Sequence, residues 1–119
     1  MTNAINQFFE KLSSYPEIIT FEEVISLIDK YFIFNPTGFD NGGQRNEAGQ
    51  NSGSCKIFSF AQNYDLNPAQ TLILFGQYYR GVLATPEGND HQNIRQFMQY
   101  GFAGITFDGQ ALIKKKGGQ

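Results

Sequence analysis

There is no apolar run close to the roughly 20 residues needed to cross a bilayer, no tryptophan, and only one cysteine and one histidine among the 119 residues. Each shortage excludes something. Without a long apolar run or a basic start followed by an apolar stretch, neither a membrane span nor a secretory leader is expected. A lone Cys55 cannot close an internal disulfide, which fits a reducing, cytoplasmic setting. One Cys and one His without paired spacing fall short of a structural zinc site, and no Walker loop or Gly-x-Gly-x-x-Gly is present, so no metal and no cofactor is expected. Charge is scarce too, at 17% of residues and a net of −2, which leaves no basic footprint for nucleic acid or an anionic membrane. The surface must then be rich in neutral Asn, Gln, Ser and Gly.

What is plentiful is aromatic: twelve Phe and six Tyr, enough for one core in a chain that reads as one domain and a monomer. Ile5, Phe8, Phe9 and Leu12 recur at helical spacing over Asn3 to Leu12, ended by Tyr15-Pro16. Thr20-Phe21-Glu22-Glu23 is a capping box that starts a second helix, with Val24, Ile25 and Ile28 on its apolar face. A short strand is expected at Phe32 to Phe34, resuming beyond Pro36, with Asp40-Asn41-Gly42-Gly43 as a turn. Gln44 to Ser54 follows, eleven residues of which only Ala48 is apolar. A loop of that length within so small a domain is usually functional or mobile.

Ser52 or Ser54 is the expected cap of a third helix carrying Ile57, Phe58, Phe60 and Ala61. Asn67-Pro68-Ala69-Gln70 starts a fourth, expected to run to about Leu83, where Gly76 marks close approach of another element. Asp90 is the expected cap of a fifth, with Ile94, Phe97 and Met98 facing inward and Gly101 ending it. Ile105-Thr106-Phe107 and Ala111-Leu112-Ile113 around Asp108-Gly109 read as a hairpin. The expected fold is α+β: about five helices on a short antiparallel sheet made of that hairpin and the strand before the polar loop.

The candidate site is Gly49 to Lys56, where Gly and Ser let backbone N–H groups converge at a helix start. Three readings follow. In the first, a pocket binds a small anionic ligand or protein partner through Lys56, Arg80 and Arg95, with Glu47, Gln50, Asn51 and Ser54 around it and Tyr78 or Tyr79 as its apolar wall. The second makes Cys55 an acyl-transfer nucleophile, its thiolate favoured by the helix dipole and Lys56, with His91 as base, Asp90 or Asn93 orienting the imidazole, and Gln50, Asn51 or backbone N–H groups as oxyanion donors. In the third, Glu47, Asn51, Ser54, Lys56, Tyr78, Arg80, His91, Asn93 and Arg95 form a purely structural network that pins the loop to helix ends. Gly42-Gly43-Gln44 and Gly117-Gly118-Gln119 echo the tripeptide of peptide-release factors, and in an acidic chain both are taken for chance.

Asn46 to Lys56, Phe75-Gly76-Gln77-Tyr78-Tyr79-Arg80 and Asp90-His91-Gln92-Asn93-Ile94-Arg95, with Phe34-Asn35-Pro36-Thr37 before them, together resemble the HopJ type III effector family over nearly the whole chain. The resemblance implies no established enzymatic activity. It does imply secretion into a host cell, with a host protein as partner, as an alternative to a cytoplasmic role. Type III secretion usually relies on a polar, poorly ordered N-terminal segment, and the packed helix expected at Asn3 to Leu12 departs from that. Locally, Gln50 and Gly53-Ser54-Cys55 followed by Phe58 are similar to the nucleophile region of papain-like cysteine proteases, with Lys56 in place of the expected aromatic.

Overall fold

In the computed structural model, residues 4–115 are described; Asn3, Lys116 and the Gly117-Gly118-Gln119 tripeptide lie outside the described residues. Helix α1 (Ala4–Ser14) buries Ile5, Phe8 and Leu12 and leads through a 3-10 turn at Pro16–Ile18 to α2 (Phe21–Tyr31). The capping box at the start of α2 is formed as expected: the Glu23 N–H donates to Thr20 Oγ1 at 3.2 Å, and the Thr20 N–H donates to the Glu23 carboxylate at 2.8 Å. Val24 and Ile28 are fully buried on its inner face.

Strands β1 (Phe32–Phe34), β2 (Phe39–Asn41) and β3 (Gln44–Asn46) follow. The turn is shorter than expected. Asp40 and Asn41 belong to β2, and Gly42 and Gly43, both at positive φ, close a two-residue hairpin that turns the opening of the polar loop into β3. The loop proper shrinks to 47–51 before α3 (Ser52–Asn63), whose Ile57, Phe58, Phe60 and Ala61 are all fully buried. Among the described residues no helix is long and apolar enough to cross a membrane.

Two expectations are corrected here. The long fourth helix is broken into α4 (Pro68–Ile73), with its Asn67/Gln70 capping box, and α5 (Gln77–Ala84). The break is Gly76, at φ 59° and ψ −128°, seated against the backbone of residues 19–21. With α6 (Gln92–Tyr100) this makes six α-helices among the described residues. Met98 on α6 is exposed rather than inward, while Ile94 and Phe97 are buried.

The second correction concerns β4 (Ile105–Phe107) and β5 (Leu112–Lys114), which do not pair with each other. β4 pairs with β2, opposing Phe39 to Phe107, and β5 pairs with β1, opposing Phe34 to Leu112, both antiparallel. The register is unbroken across the gap, since the Asn35 N–H donates to Ala111 O at 2.7 Å and the Asp108 N–H to Gly38 O at 2.9 Å. The two small sheets are thus one interrupted ribbon. Pro36 has no N–H to offer the ladder where it is interrupted. Asp108, read as a hairpin turn residue, is instead held by ion pairing to Arg45 on β3. The α+β class stands, with the C-terminal strands both laid along the segment that precedes the polar loop.

Candidate functional site

Four asparagines organise the loop. Asn41 ends β2, Asn46 ends β3, Asn51 precedes α3 and Asn93 lies in the first turn of α6. Asn41 and Asn46 are fully buried and Asn93 nearly so, so their carboxamides have to find one another. The Asn41 Nδ2 donates to both Asn93 O and Asn93 Oδ1 at 2.9 Å, and the Asn46 Nδ2 donates to Asn93 Oδ1 at 3.2 Å. Asn46 Oδ1 accepts in return from Asn93 Nδ2 at 3.0 Å and Asn51 Nδ2 at 2.6 Å. This cluster joins the ribbon to the starts of α3 and α6.

Both helix starts are capped unusually. The residue before α3, Asn51, and the residue before α6, His91, are left-handed at φ 51°, ψ 48° and φ 50°, ψ 52°, and neither side chain caps its helix. Asn tolerates this region through its short polar side chain, and His is enriched there as well. The expected caps are engaged elsewhere. Ser52 Oγ donates to Gly49 O at 3.4 Å, and the Asp90 carboxylate accepts from Arg95 at 2.6 Å. The first backbone bond of α3 runs from Cys55 N–H to Asn51 O, and those of α6 from Ile94 and Arg95 N–H to His91 O. The preceding first-turn N–H groups, at Gly53, Ser54, Gln92 and Asn93, have no carbonyl of their own helix to bond.

These N–H groups belong to residues lining one cleft of about 390 Å³, which also includes Phe21, Phe75, Tyr78 and His91. The Tyr78 and His91 rings lie 5.3 Å apart at 35°, and Phe21 meets Tyr78 edge-on at 5.1 Å. Polar lining comes from Gln44, Asn51, Ser54, Gln92 and Asn93. Among these side chains there is no carboxylate, lysine or arginine.

Of the residues singled out in the sequence, the cleft brings together Asn51, Ser54, Tyr78, His91 and Asn93. The others lie elsewhere. Cys55 is 2% exposed, and its thiol donates to Thr37 O at 3.7 Å. Lys56 turns to α2, where its ammonium is 2.8 Å from Asp29, and also lies over the Phe34 ring. Arg80 donates to Ile19 O at 3.0 Å and flanks a separate depression with Tyr79, while Arg95 ties down the turn before α6 by donating to Thr85 O at 3.0 Å and Asp90 O at 2.6 Å. The three cations therefore do not converge into one cradle. Glu47 and Gln50 close their own turn: the Gln50 N–H donates to Glu47 O and the Glu47 N–H to Gln50 Oε1.

The electrostatics of Cys55 run opposite to the thiolate expectation. Burial pushes its thiol above the ordinary range, outweighing both its bond to Thr37 and the nearby Lys56 charge. A raised folded pKa stabilises the fold below the unfolded thiol's value of roughly 8.5, and that stability is lost as pH rises through the folded pKa. Alkylation at pH 8 should accordingly leave Cys55 untouched in the native protein and label it on unfolding in denaturant. Stability above about pH 9 should fall more steeply in wild type than in Cys55→Ala. Rapid native labelling at neutral pH would restore a reactive thiol.

Phe21, Gln44, Phe75 and Gln92 were not legible as site residues. Phe21 lies inside the capping box, Phe75 inside the expected fourth helix, and Gln44 at the start of the polar loop. The available signal was Gly53, where a Cβ would lie 2.6 Å from the Phe21 ring: a glycine at a helix start marks something packed against it.

A family model described as HopJ type III effector protein matches residues 5–112. A solved structure described as the crystal structure of unknown function protein VPA0580 is 46% identical, covers 97% of this chain and 97% of its own, and superposes with a TM-score of 0.92. No curated protein matches.

Proposed function

The chain belongs to the HopJ type III effector protein family, and from that premise we propose that it acts as a binding protein, holding a small anionic ligand in the cleft between α3, α5 and α6. The supporting observation is that two helix starts, neither capped by a side chain, open on one cleft. Each such end carries about half a positive charge together with free N–H donors, and two of them can serve one carboxylate or phosphate. No acid competes from the lining.

The reading needs no covalent step. Acyl transfer by Cys55 would require a thiolate, which burial opposes, so Cys55 is assigned to the core. A purely structural role accounts for Asn41, Asn46 and Asn93, and for Gln92 through its bond to Asn89 O, but not for the partly exposed Tyr78 and His91 rings beside the helix starts.

Inorganic phosphate, titrated while backbone amide NMR signals are followed, should shift Gly53, Ser54, Gln92 and Asn93 together with one saturation curve. Gln92→Glu places a carboxylate at the rim and should weaken phosphate binding about tenfold. The same change puts an acid in the first turn of α6 but removes the Gln92 Nε2 donor to Asn89 O, two effects of opposite sign, so thermal stability should change little. Unmoved amides, or wild-type affinity in Gln92→Glu, would sink the anion reading.

We place this activity in the cytoplasm, with delivery into a host cell as the alternative that the family description names. A translocation reporter fused to the chain decides between them: signal in host cells that depends on a working type III apparatus would move its site of action to the host.

A further inference from the structure

Resting on the cleft reading above, we infer that the ligand's anionic group is carried on a planar aromatic or heteroaromatic ring. The ring wall is the independent observation. Tyr78 is 36% exposed and the His91 side chain 39% exposed, their rings tilted at 35° with centroids 5.3 Å apart, and Phe21 and Phe75, 6.4 Å apart, line the same cleft. Phe21 is fixed edge-on to Tyr78, and the Gly53 backbone lies against the Phe21 ring. An inorganic anion at the helix starts would leave these ring faces in water. A flat ring joined to that anion covers them, gaining area burial and stacking at once.

The polar lining points the same way. It consists of carboxamides, hydroxyls and an imidazole, with no carboxylate, lysine or arginine. Gln44 offers both a donor and an acceptor from its carboxamide, which suits ring heteroatoms better than a second charge. About 390 Å³ is also the scale of a site for a one- or two-ring molecule, near the lower end of ordinary ligand pockets at roughly 300–1,000 Å³. Two sources share this chemistry, aryl carboxylates and nucleoside monophosphates.

The test compares matched pairs by saturation-transfer NMR with the full chain: benzoate against cyclohexanecarboxylate, and adenosine monophosphate against ribose 5-phosphate. The aromatic member of at least one pair should bind about tenfold tighter, and the pair with the larger ratio identifies the source. Tyr78→Leu should abolish the preference, and Tyr78→Phe should retain it. Tyr78 is a partly exposed residue on α5, so loss of fold is not the expected outcome, and circular dichroism of each variant checks this. Equal binding within both pairs overturns the ring inference and leaves the anion reading standing. If no member of either pair binds, both are overturned.

Discussion

Gly76→Ala should destabilise the protein by at least ~3 kcal/mol and lower its Tm by more than ~10 °C. Two costs combine. At φ 59° and ψ −128° the backbone is where an L side chain is strained, by about 1–3 kcal/mol. The added Cβ would also stand 2.5 Å from Phe21 N, 2.8 Å from the Thr20 carbonyl carbon and 2.9 Å from Ile19 O. Those are backbone atoms of another element, which cannot swing aside as a side chain can. Relief requires α4 and α5 to move off the start of α2, breaking the 2.9 Å bond from Phe21 N–H to Gln77 Oε1 and displacing Phe75 and Tyr78 from the cleft wall. Gly81→Ala is the control. It lies on the exposed face of α5 with nothing within 4 Å of its Cβ, and should gain about 0.5–1 kcal/mol. Chemical denaturation of both variants settles the matter: equal stability would mean that the α4–α5 break is not clamped against α2.

Asn93→Ala should cost about 3 kcal/mol and weaken the anion binding proposed for the cleft. Its carboxamide is the hub of the buried cluster, accepting from Asn41 and Asn46 and donating to Asn46. Truncation leaves Asn46 Nδ2 with only a 3.4 Å approach to Gln44 O, and leaves Asn41 Nδ2 with the Asn93 carbonyl alone. Each buried group left short of a partner costs on the order of 1–3 kcal/mol. Asn46→Ala should cost a similar amount. The double variant should fall well short of the sum, with a coupling of about 1–2 kcal/mol, because both changes dismantle the same bonds. Strict additivity in the denaturation curves would show that the four asparagines do not act as a network. The loss of binding follows because Asn93 and Asn51 set the starts of α6 and α3 against each other across the cleft.

Much of the fold was legible because its signals are local. The Thr20/Glu23 and Asn67/Gln70 capping boxes need only four residues each, and both are formed. The apolar spacing of α1, α2 and α3 follows from which face each helix buries. Gly76 signalled close approach, but its left-handed φ and the resulting break were not visible, since a glycine in an otherwise helical pattern is compatible with a continuous helix. The Asp108-Gly109 step misled for a related reason. Its two residues favour a hairpin when the flanking strands have no better partner, and here the segment before the polar loop offered a better one along an unbroken register.

The site divides along the same line. The polar stretch around Asn51, the helix start after it and the place of His91 at a second helix start could all be read from the residues. The fate of each charge could not. Lys56, Arg80 and Arg95 looked like one anion cradle because they share a sign, yet each meets a different oxygen partner: Asp29, the Ile19 carbonyl, and the turn from Thr85 to Asp90.

By itself, then, the sequence determined the α+β class, the helix boundaries set by capping boxes, the family and the position of the polar loop. Only the tertiary structure decided which strands pair, that Cys55 is buried, that two helix starts face one aromatic-walled cleft, and that Lys56, Arg80 and Arg95 lie apart from it. The physical reason is range. Caps and apolar periods act within one or two helical turns, whereas burial, ion pairing and strand partners depend on groups brought close from positions as far apart as Phe32 and Lys114.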